Sequence, residues 1–206
     1  MKLIDLSHRL SGQTPSYPGD PPVELTLNKT VGKDGYNAYL LNSGLHAGTH
    51  LDVPLHGFDG YPTVDSYPPD CFSGNGVLLD VRGEDPFYLK EEYDLLIDEG
   101  DIVLFYTGFD QYFGNPEKYY SEHPVISEEL TGFLLKKQVK MVGSDTPSLD
   151  HPPLPAHRAL LQNGIFLLEN LTNLDALRDV KHFEVFALPL KIAAEGSFVR
   201  AVARVR

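Results

Sequence analysis

From Leu45 to His56 the chain alternates without a break. Leu45, Ala47, Thr49, Leu51, Val53 and Leu55 hold the odd positions, and His46, Gly48, His50, Asp52, Pro54 and His56 the even ones. In an extended chain this sends the ionisable groups to one face and the apolar or β-branched groups to the other. His46 and His50 also stand i, i+4, as in helical zinc sites. Gly44, Gly48 and Pro54 disfavour a helix, so the pattern predicts strand with bends.

Elsewhere the pattern predicts a mixed α/β (α+β) chain, β-rich in its first third and alternating strand and helix after that. Residues 3–10 read as a short strand, and 13–22, with four prolines, as a stiff loop. Strands over 23–30 and 36–43 around the Gly32 to Gly35 turn suggest a hairpin. Residues 57–76 are turn-rich. Compact apolar runs predict strands over 76–81, 101–107, 140–143 and 165–168. Helices are expected over 90–98, from the Ser127 cap to about Gln138, over 156–162 before Asn163-Gly164, and over 171–177. Strands over 183–192 and 198–204, around a turn at 195–197, complete the chain.

Composition narrows the partners. The 206 residues suffice for one domain, 1–206, with its own core, and no repeat or low-complexity linker divides them. No apolar run approaches the ~20 residues that span a bilayer, so no membrane partner is expected. Charges and a histidine interrupt the N-terminus where an export signal needs an apolar core, so the expected location is cytoplasmic. The net charge of −12 and the dispersed cations argue against nucleic acid. Cys71 is the single cysteine, which excludes an internal disulfide and a thiolate metal site, and its neighbours offer it no base.

The loaded face around His46 points to a metal. On a straight strand His46 and His50 would stand ~13 Å apart. Two ligands of one ion must approach within ~4 Å, so the backbone has to curl, most cheaply at Gly48. His50 and Asp52, two apart on one face, converge with little distortion. The residues therefore predict a three-ligand site of His46, His50 and Asp52 with an open position for water.

The run His46-Ala-Gly-Thr-His50-Leu-Asp52-Val-Pro54-Leu-His56 resembles the His-x-Gly-Thr-His-x-Asp-x-Pro-x-His signature of the cyclase-like metal-dependent hydrolases. That group contains bacterial kynurenine formamidase and isatin hydrolase. Thr14-Pro-Ser-Tyr-Pro-Gly-Asp20, Tyr106-Thr-Gly108, Gly143 to Asp150, His157, Glu169 and Arg200-Ala-Val202 extend the resemblance over most of the chain. It implies a swivelling β/β/α fold and a homo-oligomer, a dimer or larger. It further implies two divalent ions, one on His46, His50 and Asp52 and the other on Asp52, His157 and Glu169, with Asp52 bridging. Nitrogen and oxygen donors without sulfur suit Zn or Mn equally. Independently, His157 falls in the first turn of a predicted helix and Glu169 at a strand end, where α/β proteins place ligand groups.

The implied reaction is amide hydrolysis of a small-molecule substrate. A metal-held hydroxide attacks the carbonyl, and His56 passes a proton to the leaving nitrogen. A fourth metal ligand or a hydrogen-bonded wall residue is the other reading of His56. The first substrate expectation is an N-formyl aryl amide such as N-formyl-kynurenine, which would make the chain an arylformamidase of tryptophan catabolism. Isatin-like lactams are the alternative, and a metal-binding protein without turnover is a further one. Tyr17 stands where the formamidases usually carry tryptophan, and the chain has no tryptophan. Tyr17 is the candidate substrate-binding residue, or else a tyrosine that pins the proline-rich loop. Asp145 could support a metal-binding histidine, Asp150 could line the site, and Phe58 and Phe72 could wall an apolar pocket.

Overall fold

The computed structural model describes residues 1–205. Nine strands form one mixed sheet in the order β1-β11-β9-β5-β6-β7-β8-β4-β10. They are β1 (Lys2–Asp5), β4 (His50–Asp52), β5 (Ser73–Asp80), β6 (Ile102–Tyr106), β7 (Met141–Ser144), β8 (Phe166–Glu169), β9 (Phe183–Phe186), β10 (Gly196–Phe198) and β11 (Val202–Val205). β5 to β8 run parallel, and the flanking strands join antiparallel on both sides. β2 (Glu24–Lys29) and β3 (Ala38–Asn42) form a separate hairpin.

The central strands are apolar on both faces, and the two faces feed two cores. Ile102 and Leu104 of β6, with Phe166 and Leu168 of β8, join Leu6, Leu51, Val53, Phe72 and Val185 in one. Val103, Phe105 and Leu167 join Leu130, Leu134, Leu160 and Leu161 in the other. The second core is roofed by α4 (Glu128–Lys137) and α5 (Pro155–Gln162); α1 (Val31–Asp34), α2 (Tyr93–Leu96) and α3 (Pro116–Ser121) are one or two turns long. The first is enclosed largely by the curl of the sheet itself, whose outer strands supply Leu51, Val185 and Ala203. Ser127 caps α4 as its sequence predicts, its hydroxyl accepting from the Leu130 N–H.

Several expectations change. The alternating stretch pairs as strand only over His50–Asp52. Residues 45–49 are turns and bends, and Pro54–His56 form a 3₁₀ turn. Gly48 is the kink, at φ +65°. The expected turn at 195–197 is strand instead, because Gly196–Phe198 pairs with β4. Residues 171–177 hold only a 3₁₀ turn, Leu174–Leu177, and the strand from Phe183 stops at Phe186. The helix expected over 90–98 shrinks to Tyr93–Leu96, ended by Ile97, which turns extended and packs with Tyr93 in the second core. No helix among the described residues is long and apolar enough to cross a membrane.

Leu25 faces Leu41 and Leu27 faces Tyr39 across the ladder, so these four share a face, and all four are exposed.

Candidate metal centre and active site

β4 sits between β8 and β10, and that order builds the site. In the register His50 lies opposite Glu169 on one side and Phe198 on the other, while Asp52 lies opposite Gly196. His157 enters from the first turn of α5, and His46 returns over β4 through the Gly48 kink. A cavity of about 250 Å³ is lined by His46, His50, Asp52, His56, His157 and Glu169, together with Tyr17, Asp20, Tyr120, Pro147, Ser148, Leu154 and Asn170. The candidate metal ligands, His56 and Tyr17 thus all line one cavity.

Asp52 is the centre, fully buried. Its Oδ1 lies 2.8 Å from His46 Nδ1 and 3.6 Å from His50 Nε2, and its Oδ2 3.8 Å from His157 Nε2. Glu169 lies 3.4 Å from His50 Nε2 through one oxygen and 3.4 Å from His157 Nδ1 through the other. Two close groupings share Asp52: His46, Asp52 and His56, and His50, Asp52 and Glu169. His56 stands at the exposed rim, its ring 4.2 Å from that of His46 and 5.5 Å from that of His157.

The donor set fits a divalent cation. His50 Nε2, both Asp52 oxygens, His157 Nε2 and Glu169 Oε1 are all buried without a hydrogen bond of acceptable geometry. Buried polar atoms ordinarily find a partner, and five that lack one, gathered about Asp52, are what a bound cation would satisfy. Burial would raise the Asp52 and Glu169 carboxyls. His46 and His50 outweigh it at Asp52, and His157 with His50 at Glu169, so both carboxyls are held below the usual range. Burial likewise opposes the charged form of His46, but Asp52 and Glu195 prevail and carry it up to about 10. A cation competes with these protons for the same lone pairs, so binding it releases protons.

Sequence reasoning missed four contributors. Glu195 Oε1 approaches His46 Nε2 at 3.2 Å, from a segment that reads as a turn. Gly196 is needed for space: a Cβ there would lie 2.9 Å from the Leu51 carbonyl, 3.0 Å from Asp52 Oδ1 and 3.2 Å from the His46 ring. Tyr120 of α3 meets Tyr17 edge-on, with centroids 5.4 Å apart. Asn170, also on the cavity wall, brings Nδ2 to 3.3 Å from His50 Nδ1. None of the four sits in a spacing pattern; only Asn170, next to Glu169, had a neighbour to flag it.

Other candidates lie elsewhere. Asp145 accepts from the Thr107 N–H, the Thr107 hydroxyl and the Gly108 N–H, and touches none of the histidines by hydrogen bond. It ties the end of β6 to that of β7. Asp150 holds the start of α5, accepting from the Ala156 and His157 N–H groups. Phe72 is core, and Phe58 packs against the second core beneath Arg158.

The kynurenine formamidase of Bacillus cytotoxicus is 34% identical over 207 residues, covering 98% of this chain and 96% of that protein. The kynurenine formamidase of Salinibacter ruber is 36% identical over 214 residues, covering 99% and 98%. Among solved structures, an isatin hydrolase bound to the product analogue thioisatinate superposes with a TM-score of 0.87 at 26% identity, covering 99% of this chain and 92% of that one. The family model for cyclases, described as putative cyclase, matches residues 4–151. With its histidine run inside that match and relatives aligned over nearly its whole length, the chain belongs to the cyclase family.

Proposed function

We propose that this chain is a metal-dependent amidohydrolase acting as an arylformamidase, with N-formyl-kynurenine or a close N-formyl aryl amide as substrate. The observation that carries the reading is the set of five buried donor atoms without partners, opening into a cavity walled by two tyrosines. His46, His50, Asp52, His157 and Glu169 would hold one or two divalent ions, Zn or Mn, and Asp52 has an oxygen for each of two. When bound, such an ion polarises a carbonyl and makes water a nucleophile at neutral pH.

The chain's own residues do the rest. Tyr17 and Tyr120 form an edge-to-face aromatic wall that favours a flat ring over an aliphatic chain. Asp52 and Glu169, held anionic, keep the histidines oriented. His56, at the rim, stands where a leaving nitrogen would emerge and gives it a proton, a role that suits an imidazole near neutrality. Ordering the substrate against a rigid wall supplies part of the rate by itself.

A lactam substrate is the second reading. The likeness to isatin hydrolase favours it, as does Tyr17 in place of the formamidases' tryptophan. The exposed apolar face of the β2–β3 hairpin supports a homodimer, since an isolated two-stranded hairpin is marginal in water and a second copy would cover Leu25, Leu27, Tyr39 and Leu41.

The deciding experiment reconstitutes the protein with Zn²⁺ and separately with Mn²⁺, and measures hydrolysis of N-formyl-kynurenine and of isatin, with His50→Ala as control. Rapid formyl release that the variant loses supports the first reading. Isatin turnover without formyl release supports the second. Neither, in protein shown to hold its metals, rules out both.

A further inference from the structure

Beside His50, reaching the cavity wall at Asn170, runs a buried polar chain that the proposed reaction does not use. Tyr119 of α3 is fully buried, and its hydroxyl donates to Asn170 Oδ1 at 2.9 Å. That bond sets the amide: with Oδ1 turned to Tyr119, Nδ2 faces Gly48, whose carbonyl it approaches at 3.0 Å. The same carbonyl lies 2.8 Å from His50 Nδ1. Gly48 can turn its carbonyl inward because it sits at φ +65°, a conformation glycine adopts without penalty.

The donors and acceptors then leave one arrangement. A carbonyl only accepts, so the imidazole proton lies on Nδ1. Asn170 Nδ2 only donates, and at 3.3 Å from Nδ1 it shares the Gly48 acceptor rather than competing for the ring's lone pair. Nε2 is left bare, and Nε2 is the atom facing Asp52 and Glu169 at 3.6 and 3.4 Å. Asn170 itself occupies the left-handed region at φ +56°, which asparagine tolerates better than most residues. Its backbone is pinned on both sides, the N–H donating to the Thr146 carbonyl and the carbonyl accepting from the Thr49 hydroxyl.

We infer that Asn170 and Tyr119 are positioning residues that lock the tautomer and ring orientation of His50, so that its Nε2 is presented to a cation before one arrives. The inference rests on the reading of His50 as a metal ligand. A pre-set ligand saves the cost of selecting tautomer and rotamer at binding, and outer groups of this kind are commonly worth ten- to a hundred-fold in metal affinity.

The test measures Zn²⁺ affinity by chelator competition and the His50 tautomer by two-bond ¹H–¹⁵N correlation on metal-free protein. It uses wild type, His50→Ala, Asn170→Asp and Tyr119→Phe. Asn170→Asp keeps shape and backbone tolerance but turns an acceptor toward the Gly48 carbonyl. Tyr119→Phe removes one hydroxyl without a cavity. The expected result is Nδ1–H at His50 in wild type and in Asn170→Asp, whose carboxylate can itself accept from Nδ1–H and so keeps the affinity, against a mixed tautomer in Tyr119→Phe and Zn²⁺ affinity there lower by about ten-fold or more. Unchanged affinity and tautomer in Tyr119→Phe, alongside an affinity loss in His50→Ala, would overturn the positioning role and spare the metal site. Equal affinity in wild type and His50→Ala would instead overturn the reading of His50 on which it rests.

Discussion

His50 and Glu169 are direct partners across the antiparallel β4–β8 ladder, with Nε2 and Oε2 3.4 Å apart. Strand register, rather than a local motif, sets the distance between these two donors. A one-residue slip would turn one of them to the opposite face. Glu169→Gln keeps the side chain's shape and removes its charge. We expect lower metal content after gel filtration and a loss of at least ~100-fold in hydrolysis, consistent with loss of a first-sphere donor. Full metal content in the variant would contradict a ligand role.

His56 separates two roles by a single variant. If it serves as acid/base, His56→Ala lowers kcat by ~10²–10⁴ and leaves metal content intact. Its place beside His46 and Asp52 also permits ligation, and in that case metal content falls with activity. Elemental analysis beside the rate decides between them.

Gly196→Ala tests space at the centre. The new Cβ would meet a backbone carbonyl at 2.9 Å and Asp52 Oδ1 at 3.0 Å, and the first of these cannot swing away. β10 must shift from β4, so metal affinity is expected to fall with a destabilisation of about 1–3 kcal/mol, visible together in a thermal melt with and without Zn²⁺. A variant with the parent's melting temperature and affinity would show that the edge strand yields freely.

The aromatic wall predicts a change in KM. Tyr120→Ala removes the edge-on partner of Tyr17, and an aromatic pair is worth ~0.5–1.5 kcal/mol beyond its area. KM for an N-formyl aryl amide should rise by up to ~10-fold while an aliphatic formamide is affected less. An equal effect on both substrates would assign Tyr120 to the scaffold.

His123 predicts an acid weakness outside the site. It is 2% exposed beside His151, and burial followed by the His151 charge depresses it to about 4. The unfolded chain therefore takes up this proton first as pH falls. Stability is unaffected above about 6.5, drops between about 6.5 and 4, and levels off below, by an amount on the order of 3 kcal/mol. His123→Gln should flatten that limb of the melting curve; an unchanged slope from pH 6.5 to 4 would dismiss this histidine as its source.

What was legible in the sequence followed from local physics. The apolar runs of β6, β7 and β8 and the Ser127 cap read directly, because burial on both faces and capping chemistry are written in adjacent residues. The histidine run announced the kink that the structure places at Gly48, since close ligands cannot come from a straight strand. Its strict alternation overstated the strand, because only three residues find ladder partners. Glu195, Gly196 and Asn170 escaped for the opposite reason: their importance comes from β10 and β8 lying on either side of β4, and nothing near them in the chain announces that neighbour.

That strand order also dates the site in the life of the chain. His46, His50 and Asp52 leave the ribosome early, whereas His157 and Glu169 arrive more than a hundred residues later, and Gly196 later still. Until β8 and β10 have closed on β4, the early donors have no counterparts. The complete set exists only once those strands have paired, so metal loading at this site would record that the long-range pairing was made, and a chain stalled or truncated before β8 would be left without a tight hold on an ion.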